Sequence, residues 1–329
     1  MSVHILIDNR WAGDTGIGKL YQEVMARTPP LVIPAFVESR MGLGNLCSPL
    51  MLAREIARSK PDMFYSPSFM PPLYGKTPFV FTIHDLMHLF YYTPLHRVYY
   101  QQVIARLAKQ AHQIITVSQF SKQQLMEYMG IPEDQITVIH NGVDDSFRTN
   151  QQTYPAGRPY FLYVGNQRKN KNIPAMLTAF SRARIPSDFL FLLTGKPSPA
   201  LRKLITRLKI TDRVRFLGFI QERDLPALYK GAHATLFVSL MEGFGLPLLE
   251  SMASGTPVLT ANTSALPEIA GKAAICADPR DVDAIAFGIE TLVSNDSVYQ
   301  RCVQLGYERA RLFSWDTTAE KTWKTILNL

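Results

Sequence analysis

Short apolar runs alternate with longer amphipathic segments along the whole chain of 329 residues. Such runs predict buried strands and the longer segments predict helices, a pattern typical of βα units around a parallel sheet. The alternation is interrupted at residues 150–159, where polar residues, prolines and a glycine predict a linker. We therefore expect two doubly wound α/β domains, and the chain is about twice the length of a typical single domain.

The expected elements follow directly from this alternation. The predicted strands of the first half are 3–7, 31–37, 63–65, 79–83, 114–117 and 136–139. Those of the second half are 160–164, 189–193, 214–219, 235–238, 257–259 and 273–276. The predicted helices are 18–26, 49–59, 95–111, 122–129, 175–183, 199–208, 225–229 and 247–254.

The positive charge is concentrated in the second half. The chain carries 35 lysines and arginines against 27 acidic residues, a formal net charge of +8. Residues 1–150 hold 13 basic and 12 acidic residues, and the rest hold 22 and 15. A basic half suits a diphosphate, a nucleic acid or an anionic membrane surface, and it equally suits plain solvation. Because no zinc-finger spacing or aromatic-basic RNA-binding signature accompanies it, nucleic acid is the least favoured partner.

Other features argue against membrane spanning and against a metal site. No run of about 18 uninterrupted apolar residues is present, and the first residues lack the basic start of a signal peptide. The three cysteines are never spaced as CxxC. Asp281 and Asp283 have the DxD form of metal-dependent transferases, but they follow Asp278–Pro279 at an expected helix start, so we interpret them as capping residues. We expect a cytoplasmic protein without a bound metal.

In the first half, two loops follow predicted strands and could bind a ligand. The loop 8–18 is rich in glycine and opens onto a helix, so backbone N–H groups near Gly16 could approach a phosphate or a sugar. A flexible turn without a ligand is the alternative. A dinucleotide fingerprint with Glu38 as the ribose-binding acid fits poorly, because the glycines are ordered GxxGxG. His84, followed by Asp85, could donate a hydrogen bond to a sugar hydroxyl, or it could be purely structural.

In the second half, Gly165 is followed by a cluster of cations. Arg168, Lys169 and Lys171 come directly after the predicted strand 160–164. Arginine and lysine can neutralise the charge that grows on a departing diphosphate when no metal is present. The alternative is a solvated basic turn.

The segment from Glu242 to Glu250 is the more specific signal. Its two glutamates lie eight residues apart and bracket Gly243, Phe244, Gly245, Leu246 and Pro247. The glycines give the backbone freedom, and N–H groups near Leu246 could meet a phosphate at a helix start. The two carboxylates could then reach different parts of one ligand.

Together these motifs resemble those of the retaining glycosyltransferases of family 4, which have the GT-B fold of two facing Rossmann-like domains. The motifs that carry the resemblance are Gly16–Gly18, His84–Asp85, 117–121, 138–144, Glu242–Glu250 and Phe313–Asp316. The resemblance covers nearly the whole chain. It implies an acceptor-side domain over 1–150, a nucleotide-sugar domain over 151–312 and a helix over 313–329 that packs back on the first domain.

The resemblance also implies roles for single residues. Glu242 would contact the transferred sugar, Glu250 the ribose and Lys171 the diphosphate. His84 would lie near the reacting carbon, and Gly16 against the phosphate or sugar. Gly165, Arg168 and the segment 243–246 would complete the donor site. Many family members carry arginine where this chain has Asn166, and whether Arg168 or Lys169 replaces it stays open.

The implied activity is transfer of a hexose with retained anomeric configuration. Mannose from GDP-mannose is the preferred donor, because the loop 165–172 and the Phe-Ser-Trp-Asp segment resemble bacterial O-antigen and capsule mannosyltransferases. The acceptor would be a glycan or a lipid-linked glycan of a surface polysaccharide such as lipopolysaccharide. The family is generally metal independent, and the nucleotide sugar is a substrate, so no cofactor is implied.

Several alternatives remain open. A UDP-sugar donor, a nucleotide-sugar epimerase on the same fold and a nicotinamide-dependent oxidoreductase are the rival functions. The acceptor could enter near 87–92, where aromatic rings could stack on sugars or belong to the core. The basic residues Arg202, Lys203, Arg207 and Lys209 could assist contact with the inner membrane face, or they could simply be solvated. Acceptor, linkage and oligomeric state are not specified by the sequence.

Overall fold

The computed structural model describes residues 2–13, 15–38, 41–42, 45–91 and 94–328. Its strands are β1 (Val3–Ile7), β2 (Val32–Phe36), β3 (Met63–Ser66), β4 (Phe79–Ile83), β5 (Gln113–Thr116), β6 (Ile136–Val138), β7 (Tyr160–Tyr163), β8 (Leu190–Leu193), β9 (Val214–Phe216), β10 (Ala234–Phe237), β11 (Val258–Ala261) and β12 (Ile275–Ala277).

The helices alternate with these strands. They are α1 (Gly16–Met25), α2 (Ser48–Ser59), α3 (Met87–Phe90), α4 (Pro94–Tyr99), α5 (Ala105–Ala108), α6 (Gln119–Met129), α7 (Ser146–Thr149), α8 (Ile173–Arg182), α9 (Pro199–Arg207), α10 (Leu225–Gly231), α11 (Leu246–Ala253), α12 (Leu266–Ala270), α13 (Val282–Ser294), α14 (Asp296–Ala310) and α15 (Trp315–Leu327). A π-helical segment, Tyr100–Ile104, joins α4 to α5.

The chain forms two compact units. Unit 1 comprises Met1–Gly142 and Ser314–Leu329, and unit 2 comprises Val143–Phe313. The sequence-based boundary at residue 150 rested on linker composition, whereas contacts place α7 in unit 2. There the Phe147 ring packs edge-on against Tyr229, with centroids 5.7 Å apart, and the Arg148 guanidinium donates to the backbone oxygen of Ala310.

Unit 1 is built on a parallel sheet of six strands in the order β2-β1-β3-β4-β5-β6. Helices cover both faces of such a sheet, so its inner strands are apolar without alternation. All five residues of β4 are buried accordingly. At the edge, β2 buries only Val32. The order reverses direction between β1 and β3, and the loops after these strands therefore diverge to opposite faces.

Unit 2 has a second parallel sheet of six strands, in the order β12-β11-β10-β7-β8-β9. Counted within the unit, this is the strand order of dinucleotide-binding Rossmann domains. The reversal falls between β7 and β10, which pair directly through Ala234 and Phe161. Ligands of doubly wound sheets bind outside the carboxyl ends of the two strands at this point. The loops after β7 and β10 are therefore the expected ligand-binding region of unit 2.

The last helix returns to unit 1. The indole N–H of Trp323 donates to the backbone oxygen of Val24 at 2.9 Å, and the Thr318 hydroxyl donates to that of His140 at 2.7 Å. Gly142 lies against the first residue of this helix, and a Cβ at residue 142 would be 2.2 Å from the Trp315 nitrogen. The predicted fold class, two Rossmann-like domains with a C-terminal helix that crosses back to the first, is confirmed.

Two further expectations can be compared with the structure. Asp281 caps α13, where its side chain accepts from the backbone nitrogens of Asp283 and Ala284, so the interpretation of this segment as a helix cap is confirmed. In the part of the chain that the structure describes, no helix combines the length and apolar character required to cross a membrane.

Candidate functional site

The loops that follow β7 and β10 are joined to each other in unit 2. The side-chain amide of Asn170 donates to the backbone oxygen of Met241 at 3.1 Å, and the Leu240 nitrogen donates to the backbone oxygen of Asn170 at 2.7 Å. Asn170 is buried, with 2% of its surface exposed. The basic loop after β7 is therefore fixed against the loop that leads to Glu242.

A second asparagine fixes the other end of the basic loop. Asn172 has a left-handed backbone, with φ of 58°, which asparagine tolerates better than most residues. Its amide donates to the backbone oxygens of Val238 at 3.0 Å and Pro279 at 2.7 Å. Lys169–Lys171, with Asn170 in the middle, form a single 3-10 turn that ends at Asn172. Arg168 and Lys169 are exposed, and Lys171 is partly buried.

Lys171 and Glu242 form an ion pair at this position. The Lys171 Nζ donates to the Glu242 Oε1 at 2.7 Å, and the ammonium also lies 5.2 Å from the ring centroid of Phe237. Glu242 is only 6% exposed, and a charge so shielded from water requires a partner of opposite sign. The pair thus places one cation and one anion side by side at the reversal point of the sheet.

The backbone of Glu242 is held by a neighbouring loop. Its nitrogen donates to the Ser264 hydroxyl at 3.2 Å, and its oxygen accepts from the Ala265 nitrogen at 3.4 Å. Ser264 has φ of 60°, a conformation that costs a residue with a Cβ about 1–2 kcal/mol. Such a conformation persists only where the surrounding structure holds it in place. Here it accompanies the hydrogen bond between the Ser264 hydroxyl and the Glu242 nitrogen.

Gly243–Leu246 connect Glu242 to α11. Gly245 has φ of 132°, and a Cβ at this position would lie 3.0 Å from the Leu266 side chain, so a glycine is required. The Phe244 ring is buried and packs edge-on against Phe313, with centroids 6.1 Å apart. Phe244 can therefore offer a ligand only its backbone. Leu246 begins α11, whose first N–H groups are suited to bind an anion.

Glu250 lies on α11 and is positioned by a tyrosine. The Tyr229 hydroxyl donates to the Glu250 Oε2 at 2.7 Å. Burial, and then the charge of Glu250, raise the pKa of Tyr229, so the phenol remains a protonated donor at neutral pH. The hydrogen bond fixes one carboxylate oxygen of Glu250 and limits the directions in which the other can point.

In unit 1, Gly16 and His84 follow different strands of the first sheet. Gly16 is exposed and begins α1, where the Thr15 hydroxyl accepts from the Gly18 nitrogen at 3.0 Å. The His84 Nε2 lies 2.8 Å from the backbone oxygen of Pro67, so it must carry the proton and donate. Burial lowers the pKa of His84. The ring is therefore neutral at pH 7, and its Nδ1 is an acceptor rather than a donor.

The segment 87–92, where we expected the acceptor to enter, divides into different environments. Leu89 is buried, and the His88 ring stacks on Tyr100 with centroids 4.6 Å apart. Phe90 is exposed and meets Tyr128 edge-on. Tyr92 lies outside the described residues. The Asp85 carboxylate, just before α3, accepts from the Met87 nitrogen at 2.8 Å.

The structure brings most of the predicted donor residues into one region of unit 2. Gly165, Arg168, Lys171, Glu242, Gly243, Phe244 and Gly245 lie between β7 and α8 or between β10 and α11, and Leu246 and Glu250 follow on α11. Gly16 and His84 belong to unit 1. Among the described residues, no three His, Cys, Asp or Glu side chains are grouped so that they could hold a metal ion. Glu38, the acid of the disfavoured dinucleotide motif, forms an exposed ion pair with Arg58.

Sequence reasoning gave no role to five residues that hold this region together. They are Tyr163, Asn170, Asn172, Tyr229 and Ser264. The two asparagines belong to the repeated Lys-Asn pattern of the basic loop, and that repeat is the sequence signal that could have identified them. Tyr229 and Ser264 bond Glu250 and Glu242, which lie 21 and 22 residues away in the chain, so no local pattern marks them. The Tyr163 hydroxyl bonds the backbone oxygen of Asn166, only three residues on, but a tyrosine at the end of an apolar strand is not by itself a signal.

Two Rossmann-like units, the second with a basic loop and two glutamates at the reversal of its sheet, define the class of two-domain α/β glycosyltransferases. The family Glycosyl transferases group 1 matches residues 145–309, and Glycosyltransferase Family 4 matches residues 6–147. The chain therefore belongs to the glycosyltransferases that these two models describe, one for each half of the chain. The resemblance of its motifs to family 4 is confirmed at the level of the family.

Individual relatives are similar over much of the chain. It is 31% identical over 314 residues to an O-antigen chain mannosyltransferase B of Escherichia coli, which covers 90% of this chain and 80% of that protein. It is 30% identical over 223 residues to an MMP alpha-(1→4)-mannosyltransferase of Mycolicibacterium hassiacum, covering 66% of this chain and 54% of that protein. The crystal structure of Anabaena Alr3699/HepE in complex with UDP superposes with a TM-score of 0.80 at 18% identity, over 100% of each chain, and supports the GT-B fold.

Proposed function

We propose that this glycosyltransferase moves mannose from GDP-mannose onto a glycan or lipid-linked glycan, with retained anomeric configuration, in the synthesis of a bacterial surface polysaccharide. The ion pair of Lys171 and Glu242, at 2.7 Å beside the glycine-rich start of α11, is the observation that carries the proposal. Relatives named as mannosyltransferases, one of them for the O-antigen chain, support the choice of sugar and product.

In the proposed reaction, the bond between the anomeric carbon and the diphosphate oxygen breaks as the acceptor hydroxyl oxygen attacks from the same face. The acceptor proton passes to an oxygen of the leaving diphosphate. Lys171, together with Arg168 or Lys169, stabilises the charge that develops on that group, and no metal is needed. Glu242 contacts the sugar, and Glu250 binds the ribose.

The proposed roles of the unit 1 residues follow the resemblance as well. His84 acts toward the sugar through Nδ1, because its Nε2–H is engaged by Pro67. Gly16 lies against the phosphate or sugar. The acceptor binds unit 1. The basic residues Arg202, Lys203 and Arg207 of α9, together with Lys209 just after it, assist contact with the inner membrane surface.

Isothermal titration tests the donor assignment. GDP, GDP-mannose, UDP, UDP-glucose and NADH are titrated, with EDTA present, into the wild type, Glu250→Ala and Glu308→Ala. Glu308 is an exposed glutamate on α14 and serves as the matched control. We expect GDP and GDP-mannose to bind, and Glu250→Ala alone to weaken both by about tenfold, the loss of one charged hydrogen bond.

Other outcomes would revise the proposal in defined ways. Binding of UDP and UDP-glucose alone would refute GDP-mannose as the donor. Binding of NADH alone would refute transferase chemistry. Conversion of the donor to another sugar nucleotide without any acceptor would indicate an epimerase. A requirement for Mg²⁺ would contradict stabilisation of the diphosphate by side-chain cations.

A further inference from the structure

Tyr163 is a buried phenol at the carboxyl end of β7, directly before the basic loop. Its side chain is fully shielded from water, and its hydroxyl donates to the backbone oxygen of Asn166 at 2.6 Å. Burial, and then the charge of Glu242, raise the pKa of Tyr163. The phenol thus stays protonated and acts only as a donor toward this carbonyl group.

This hydrogen bond fixes the turn that begins the basic loop. Gly165 has φ of 150°, and a Cβ there would lie 2.8 Å from the Tyr163 oxygen, so the glycine leaves space for the hydroxyl. The nitrogen of Gly165 donates to the Thr194 hydroxyl at 3.0 Å. Two hydroxyl groups, one at the end of β7 and one directly after the neighbouring strand β8, therefore hold the turn.

The orientation of the Asn166 carbonyl determines where the next amide points. The peptide group is planar and trans, so the Gln167 N–H points away from the carbonyl that Tyr163 holds. The Asn166 side chain then accepts from the Arg168 nitrogen at 3.2 Å. The hydroxyl of Tyr163 thereby orients the backbone that carries the first of the three cations.

The ring of Tyr163 also supports the last cation of the loop. It stacks on Phe237 with centroids 6.2 Å apart and an interplanar angle of 15°. The Phe237 ring in turn lies 5.2 Å from the Nζ of Lys171, measured to the ring centroid. One side chain is therefore connected to both ends of the basic loop, to Arg168 through the turn and to Lys171 through Phe237.

We propose that Tyr163 is a positioning residue for the diphosphate. Its hydroxyl orients the turn 165–168 so that the backbone N–H of Gln167 and the cations of the loop converge on the terminal phosphate. The inference rests on the proposed function, because it assumes that unit 2 binds a nucleoside diphosphate. Removal of the hydroxyl weakens recognition of that phosphate more than recognition of the nucleoside.

The chain offers a matched control in the same strand. Tyr160 begins β7, is buried, and donates to the backbone oxygen of Leu228 at 2.7 Å. Tyr160→Phe and Tyr163→Phe each remove one buried phenol that donates to a carbonyl group, so we expect similar decreases in Tm. The two tyrosines differ in their place: Tyr160 lies at the amino end of the strand and Tyr163 at the carboxyl end.

The experiment measures Kd for GDP, GMP and guanosine, or for the uridine series if the wild type binds UDP. In Tyr163→Phe we expect the Kd for the diphosphate to rise about tenfold, the effect of losing one well-placed hydrogen bond. The Kd for the nucleoside should change less than about twofold. Tyr160→Phe should leave all three within about twofold. With active enzyme, kcat/KM for the donor should fall at least as much as diphosphate affinity, because charge grows on the diphosphate in the transition state.

Equal diphosphate affinities in the two tyrosine variants would overturn the inference, as would an equal loss for nucleoside and diphosphate in Tyr163→Phe. If Tyr163→Phe does not fold, Thr194→Val replaces it, because the loss of the Thr194 hydroxyl removes the hydrogen bond to the Gly165 nitrogen and loosens the same turn. Unchanged diphosphate affinity in Thr194→Val would equally refute the role of the turn. A wild type that binds no nucleoside diphosphate refutes the proposed function itself, and is distinguished from these outcomes without any variant.

Discussion

Glu242 is restrained by three residues from two separate segments of unit 2. Lys171 holds its carboxylate, Ser264 its nitrogen and Ala265 its oxygen. A carboxylate fixed in this way does not need to reorganise when positive charge develops on a bound sugar. The cost is a partly desolvated charge pair, whose members depend on each other for stability.

The mutual dependence of this pair leads to a prediction at the residue scale. Lys171→Met leaves the Glu242 carboxylate shielded from water without its cation, and we expect a loss of about 3 kcal/mol in unfolding free energy. Adding Glu242→Gln removes the unpaired charge and should restore at least about 1 kcal/mol. Urea denaturation of both single variants and the double variant measures the coupling. Strictly additive losses would contradict it, and all three variants should lose transferase activity.

Sequence reasoning identified the charged groups of this region but not their supports. Arg168, Lys171 and Glu242 were found because charge near glycine after a strand is a local pattern, and Glu250 because it lies eight residues after Glu242. Ser264 could not be found in the same way, since neither its positive φ nor its contact with a backbone nitrogen 22 residues away is encoded by neighbouring letters. The neutral tautomer of His84 likewise depends on Pro67, a residue from another loop.

At the scale of elements, each of the twelve strands in the described residues was predicted within a few residues. The inner strands, which are buried on both faces, read as continuous apolar runs. The order of strands was not predicted, since β7 and β10 pair across a long stretch of chain. Helices α13 and α14 were also not delimited. They follow each other without an intervening strand, so the βα alternation used to find elements does not detect them.

A prediction at this scale concerns the docking of α15 on unit 1. A Cβ at residue 142 would meet backbone atoms of Ser314 and Trp315, which cannot rotate aside as a side chain can. We expect Gly142→Ala to lower the unfolding free energy by about 3 kcal/mol, at the upper end of overpacking costs. Gly42→Ala is the control, since a Cβ there meets no atom within 4 Å, and it should change stability by less than about 0.5 kcal/mol.

Thermal denaturation of the two glycine variants separates these cases. Loss of α15 docking would also expose Trp323, whose indole is buried against Val24, so its fluorescence should shift to longer wavelength in Gly142→Ala before the main transition. A variant with wild-type Tm and fluorescence would show that the chain can move away from residue 142 at little cost.

At the scale of the whole molecule, charge and strand order indicate the same unit. Most of the excess positive charge lies beyond residue 150, and the sheet of unit 2 has the order found in dinucleotide-binding domains. Unit 1 has a different order and almost balanced charge. If nucleotide affinity arises from these two properties together, then unit 2 should hold the nucleotide by itself.

Hydrogen exchange measured with and without GDP tests this division of labour. At a ligand concentration of about 100 times Kd, binding stabilises the bound form by about 2.7 kcal/mol, so amides that exchange only from the free form slow by about 100-fold. We expect such protection at 165–172 and 242–250, and unchanged exchange in β3, β4 and β5. Glu250→Ala at the same GDP concentration should show less protection. Protection confined to unit 1 would contradict the assignment of the nucleotide site to the loops after β7 and β10.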